Sequence, residues 1–119
     1  MVVREYRDAS GRSPFAVWFR ALDPAAEAKV ARALARLELG NASNVKGVGA
    51  GVFELKVDFG PGYRVYFGKD GETVVILLGG GTKKRQDRDI ATAQERWKDY
   101  KERHVPAQPA GVANAANAS

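Results

Sequence analysis

The chain has 119 residues, too few for two independent cores, and its 45% hydrophobic and 28% charged composition is that of one folding domain and not of a disordered chain. With no cysteine and one histidine, His104, it excludes disulfides, thiol catalysis and the common zinc ligand sets, so no metal or cofactor is expected. The formal net charge of +5 favours an anionic partner, and the absence of a leader-like or membrane-length apolar run predicts a cytoplasmic protein.

Val2 to Tyr6 is expected to be a short strand, closed by the turn formers Asp8-Ala9-Ser10-Gly11. Ser13-Pro14 is an N-cap followed by proline at the first helical position, and Phe15, Trp18, Phe19 and Leu22 follow at helical spacing. Asp23-Pro24 repeats the signal for a second helix, with Val30, Leu34 and Leu37 on its buried side and Gly40 as its stop. Two helices joined this tightly should pack as a hairpin on a sheet.

After a polar, glycine-rich connection from Asn41 to Gly51, residues 53–58 alternate strictly, with Phe53, Leu55 and Val57 facing the core and Glu54, Lys56 and Asp58 facing away. Phe59-Gly60-Pro61-Gly62 turns the chain into Tyr63 to Phe67, where Arg64 and Tyr66 take the open side. Asp70-Gly71 signals a two-residue hairpin, and the apolar run from Thr73 to Leu78 reads as a strand covered on both faces. Gly79-Gly80-Gly81 ends that strand. A last helix runs to about Arg103, with Ile90, Ala93, Trp97 and Tyr100 on one stripe. This divides the chain into a domain over 1–104 and a disordered tail over 105–119, which carries no charge and no periodicity.

Symmetric closure at Phe59-Gly60-Pro61 sets Lys56 opposite Arg64, Glu54 opposite Tyr66 and Asp58 opposite Gly62. Like charges facing one another call for an anion between them, or for neutralisation by Glu54 and Asp58. The Asp-Gly hairpin sets Leu77 beside Arg64, so Lys83, Lys84 and Arg85 emerge near the pair, at a helix start whose dipole they oppose. A phosphate ligand answers both features. RNA supplies its own 2′-hydroxyl nucleophile, leaving the protein to orient groups, accept a proton and stabilise the phosphorane. Crowding among cations would lower a lysine pKa, making Lys56 or Lys84 a proton acceptor while Arg64 and Arg85 hold the phosphate. Lys46, Tyr66, Lys83 and Arg88 complete the surface as RNA contacts, with Tyr66 stacking on a base.

The order strand, helical hairpin, three-stranded meander and C-terminal helix, with Phe53-Glu54-Leu55-Lys56, Tyr63-Arg64-Val65-Tyr66-Phe67 and Leu77 to Gln86, resembles the RelE/ParE toxin superfamily. Within it the chain looks most like the HigB-type killer proteins related to phage Gp49-like proteins. The resemblance implies an α+β fold and the toxin of a type II toxin–antitoxin pair, neutralised by a helix-turn-helix (HigA-like) antitoxin that also binds operator DNA. It implies metal-independent cleavage of mRNA on the ribosome, an mRNA interferase activity. Lys56 then matches the first basic residue of the meander, Arg64 the arginine of the Tyr-Arg strand, and Lys83, Lys84 or Arg85 the basic residue after the final strand. The chain departs from the pattern where such nucleases place a tyrosine or histidine, for Asp89 and Ile90 stand there. Either a lysine does that work, Tyr100 or His104 reaches in, or the activity is weaker or of another kind. ParE-like inhibition of DNA gyrase and non-catalytic RNA binding are the rival readings.

Overall fold

The computed structural model describes residues 1–104, so the expected tail over 105–119 lies outside the described residues. The elements run β1 (Val2–Glu5), α1 (Pro14–Arg20), α2 (Pro24–Glu38), β2 (Val45–Gly47), β3 (Val52–Val57), β4 (Tyr63–Asp70), β5 (Val74–Thr82), a 3-10 turn (Lys83–Arg85) and α3 (Gln86–Arg103). This is the expected α+β architecture, with one strand more. β2 arises within the connection expected to be a loop and pairs antiparallel with β3, completing a five-stranded sheet in the order β1-β5-β4-β3-β2. β1 joins parallel to β5, the two helices of the hairpin carrying the chain across.

Both helix starts form as their caps dictate. Ser13 Oγ accepts from the Ala16 N–H at 3.1 Å and Asp23 Oδ1 from the Ala26 N–H at 2.9 Å, each ahead of a proline in the first turn. The hairpin buries Phe15, Val30 and Leu37 on one face of the sheet against Leu55, Val65, Phe67, Val75 and Leu77.

The other face is not open. α3 lies on it, and Ala93 and Trp97 pack with Tyr66, Ile76 and Leu78 into a second core. The expectation of a face free of helices is therefore corrected: α3 covers it, and while Lys56 stays exposed, Glu54 and Arg64 are buried at 2% and 6% exposure. Their charge imitates a solvent face because they neutralise each other inside.

The β3–β4 register holds, with Lys56 opposite Arg64 and Glu54 opposite Tyr66, although the ladder closes at Val57–Tyr63 and does not reach Asp58 and Gly62. The β4–β5 register does not hold. Arg64 pairs with Gly81 and not with Leu77, because the loop is Gly71-Glu72-Thr73 between paired Asp70 and Val74, and Leu78 is an extra residue bulged between Gly79 and Leu77. Nor do the three glycines end the strand. They are strand residues left bare because other groups rest on their backbone: a Cβ at Gly80 would collide with the Trp18 ring, at Gly79 with the Arg96 guanidinium, and at Gly81 with the Asp89 carboxylate.

Candidate functional site

The site begins at a buried carboxylate. Glu54, in the middle of β3, holds Arg64 Nε at 3.4 Å and Lys46 Nζ at 3.9 Å through Oε1, and accepts a hydrogen bond from Gln86 Nε2 at 2.7 Å through Oε2. The cross-strand pairings Lys46–Glu54 and Glu54–Tyr66 bring β2 and β4 to it, and Gln86 ties it to the first residue of α3. Glu54 thus neutralises Lys46 and Arg64, where the sequence suggested Lys56. Lys56 is exposed and makes no ion pair among the described residues.

Arg64 is anchored as well by an Nη1 hydrogen bond to the Tyr63 carbonyl at 3.2 Å, while its buried Nε makes none. Lys46, Lys56 and Arg64 line one cleft of ≈ 310 Å³ together with Ser43 and Asn44. Lys83, Lys84, Arg85 and Arg88 line a second, ≈ 540 Å³. The Lys83 N–H donates to the Gly62 carbonyl at 2.8 Å, and a Cβ at Gly62 would touch both Arg64 Nη1 and Lys83 Cβ at 3.5 Å. Gly62 has φ +81°, a left-handed conformation that favours glycine, so the turn holds Lys83 beside Arg64 only with glycine there. Of the three basic residues expected near the Lys56–Arg64 pair, Lys83 lies beside Arg64, while Lys84 and Arg85 line the separate cleft, and the β4–β5 register expected for them does not hold.

Three expectations need correction. The basic run is not the first turn of a helix: Lys83, Lys84 and Arg85 form the 3-10 turn ahead of α3, whose own first turn carries Asp87 and Asp89 and complements the dipole. Tyr66 is not available to stack on a base. It is 1% exposed, packed beneath α3, and burial first and the neighbouring Glu54 and Asp89 next push its pKa well above the usual tyrosine range. Its hydroxyl makes no hydrogen bond among the described residues.

The third concerns Tyr100 and His104. Tyr100 donates to Asp70 Oδ2 at 2.7 Å and stacks between Trp97 and His104. Asp70 is six residues along β4 from Arg64, about 20 Å at strand rise, so neither side chain reaches the basic clefts.

Two arginines of this region carry no expectation from the sequence, and Asp89, which stands where the resemblance leads one to expect a tyrosine or histidine, has a contact the sequence did not indicate. Asp89 rests over Gly81, and burial raises its pKa against the pull of Arg85, Arg88 and Arg96. Arg96, on α3, donates to the Leu78 carbonyl at 2.9 Å, and Arg12 stands in the loop before α1. The signal that could have found Asp89 and Arg96 is Gly79-Gly80-Gly81, three bare residues inside an apolar strand that mark a place where side chains press on the backbone; Arg12 has no such signal.

Residues 17–98 match the family described as phage derived protein Gp49-like. An uncharacterized protein of Haemophilus influenzae is 46% identical over 69 residues, spanning 58% of this chain and 70% of that protein.

Proposed function

The chain belongs to the phage-derived Gp49-like family, a family of the RelE toxin type, and from that premise we propose that it is the toxin of a type II toxin–antitoxin pair and cuts mRNA on the ribosome. One observation carries the reading. Lys56 stands exposed opposite Arg64, and Lys83, the first residue of the basic turn, lies beside Arg64 across Gly62.

In this reading the RNA enters between the two basic clefts and its 2′-hydroxyl attacks the adjacent phosphate. Lys56 or Lys84, both exposed to the RNA, accepts the 2′-hydroxyl proton in its neutral amine form. The P–O5′ bond breaks to leave a 2′,3′-cyclic phosphate, the other lysine as its ammonium protonates the departing 5′-oxygen, and Arg85 grips the phosphate with its planar fork. Arg64, pinned by Glu54 and the Tyr63 carbonyl, supplies fixed positive charge behind the reacting group, which costs no reorganisation at the moment of reaction. Lys46, Lys83 and Arg88 extend the grip along the strand. The partner that silences such a surface is a helix-turn-helix antitoxin, and operator DNA is bound through it. No helix among the described residues is long and apolar enough to cross a membrane.

The test is induction without an antitoxin, with mRNA 5′ ends mapped. Cuts within codons are expected, and they should vanish when Lys56→Ala is combined with Lys84→Ala. Growth arrest and cleavage that survive the double substitution would overturn the reading.

The placement of Tyr100 and His104 against Asp70, away from the basic clefts, favours a second reading in which the same surface binds and does not cleave. A ParE-like gyrase inhibitor would leave mRNA intact and trigger DNA-damage signalling.

A further inference from the structure

β1 stops pairing at Leu77, so beyond it one edge of β5 has no strand beside it. A groove of ≈ 470 Å³ lies along this edge, walled by α1 on one side and α3 on the other, with Gly79 and Gly80 in its floor. Four arginines from three segments line it: Arg12 from the loop before α1, Arg85 from the 3-10 turn, and Arg88 and Arg96 from α3. Of its two acidic residues, Asp8 is already occupied, accepting from the Ser10 and Arg12 backbone N–H groups and from the Ser10 hydroxyl. Those hydrogen bonds hold its pKa below the usual carboxylate range.

We propose that this groove is a second RNA subsite, holding the phosphodiester backbone that flanks the nucleotide bound at the Lys56–Arg64 end. The inference rests on the reading that the chain takes RNA and extends it to residues on the opposite rim of β5. Arg85 and Arg88 line both this groove and the Lys83–Arg88 cleft, so a strand leaving one passes over a shared arginine ridge into the other. An added β-strand fits the edge less well. The Leu77 carbonyl at this edge is taken by the Tyr6 N–H, and the Arg96 guanidinium, donating to the Leu78 carbonyl, lies over Gly79 where such a strand would run. The exposed forks of Arg12, Arg85 and Arg88 can each offer a phosphate two donors, and Arg96, lying over Gly79, adds positive charge behind them.

Binding is measured with 2′-O-methyl oligoribonucleotides, which no 2′-hydroxyl mechanism can cleave, using a trinucleotide and one of about nine residues titrated against KCl. Each phosphate contact contributes about −0.7 to the slope of log K against log salt for a single strand. The wild-type slope should be steeper for the long oligonucleotide, and Arg12→Ala should make it shallower by about 0.7 while leaving the trinucleotide unchanged. Thr92→Glu, which puts a carboxylate into the same groove on a helix that tolerates it, should weaken only the long oligonucleotide, by about tenfold. Equal slopes for the two lengths, or an Arg12→Ala effect that is absent or the same for both, would sink the subsite alone, because cleavage mapping remains independent of it. A wild-type protein that binds neither oligonucleotide at low salt overturns both the subsite and the RNA reading.

Discussion

Gln86 reaches from the first turn of α3 to Glu54 in the middle of β3, a 2.7 Å hydrogen bond between residues 32 positions apart. It joins the helix that roofs the sheet to the carboxylate on which the buried arginine depends. Stability and charge placement therefore share one side chain.

Replacing Glu54 by Gln leaves Arg64 buried beside a neutral partner. Removing one member of a buried ion pair costs about 3 kcal/mol, so the urea midpoint of the variant should fall accordingly. A midpoint unchanged from wild type would mean that Arg64 finds compensation elsewhere.

Lys56→Ala should separate function from folding. The side chain is exposed and makes no ion pair among the described residues, so stability should stay within about 0.5 kcal/mol of wild type. If Lys56 is the proton acceptor its loss should lower the cleavage rate by about 100-fold or more, and if Lys84 is, a fall of that size appears in Lys84→Ala instead. Thermal unfolding and primer-extension mapping on the same preparation measure the two quantities.

Two glycines should respond in opposite ways. A Cβ at Gly80 meets the Trp18 ring, so Gly80→Ala should destabilise by about 2 kcal/mol through overpacking. Gly47 in β2 faces nothing within 4 Å and has an ordinary φ, and Gly47→Ala should fall within about 0.5 kcal/mol. Calorimetric melting of both variants makes the comparison.

Alkaline pH should unfold the protein by way of its tyrosines. Burial and the hydrogen bond to Asp70 push the Tyr100 pKa up to about 12 from 10.0, and Tyr6 and Tyr66 move in the same direction. A raised folded-state pKa means that the folded protein holds the proton more tightly. The resulting stability is complete below pH 10 and is lost as the pH climbs through 12. Tyr100→Phe keeps the aromatic stack and removes the ionisation, so its decline over this range should be shallower than wild type in urea titrations at stepped pH.

Much of this fold is legible in local signals. The Ser13-Pro14 and Asp23-Pro24 caps and the strict alternation of β3 each act within a few residues, and the tight turn after β3 sets Lys56 against Arg64. What escapes a linear reading depends on contacts distant in the chain. Glu54 and Arg64 carry the polarity of a solvent face and are buried because α3 folds back over them. Asp70-Gly71 has the chemistry of a two-residue turn, yet the loop has three residues and Leu78 bulges, moving Arg64 from Leu77 to Gly81. The candidate site survives that error because β5 is longer than expected, so Lys83 still arrives beside Gly62.

The parallel pairing of β1 with β5 bears on when this protein can exist at all. Val2 meets Val74, and the Tyr6 hydroxyl closes on Asp99 across 93 residues, so the first strand waits for nearly the last helix before it has a partner. Contacts this remote in sequence form late and slowly, and each must overcome the entropy of closing its loop. A ribosome making the chain has therefore translated β5 before the sheet can close, and α3 must follow before Tyr6 finds Asp99. On that timetable the surface assigned to RNA cannot assemble before β5 and the basic turn that follows it have been made.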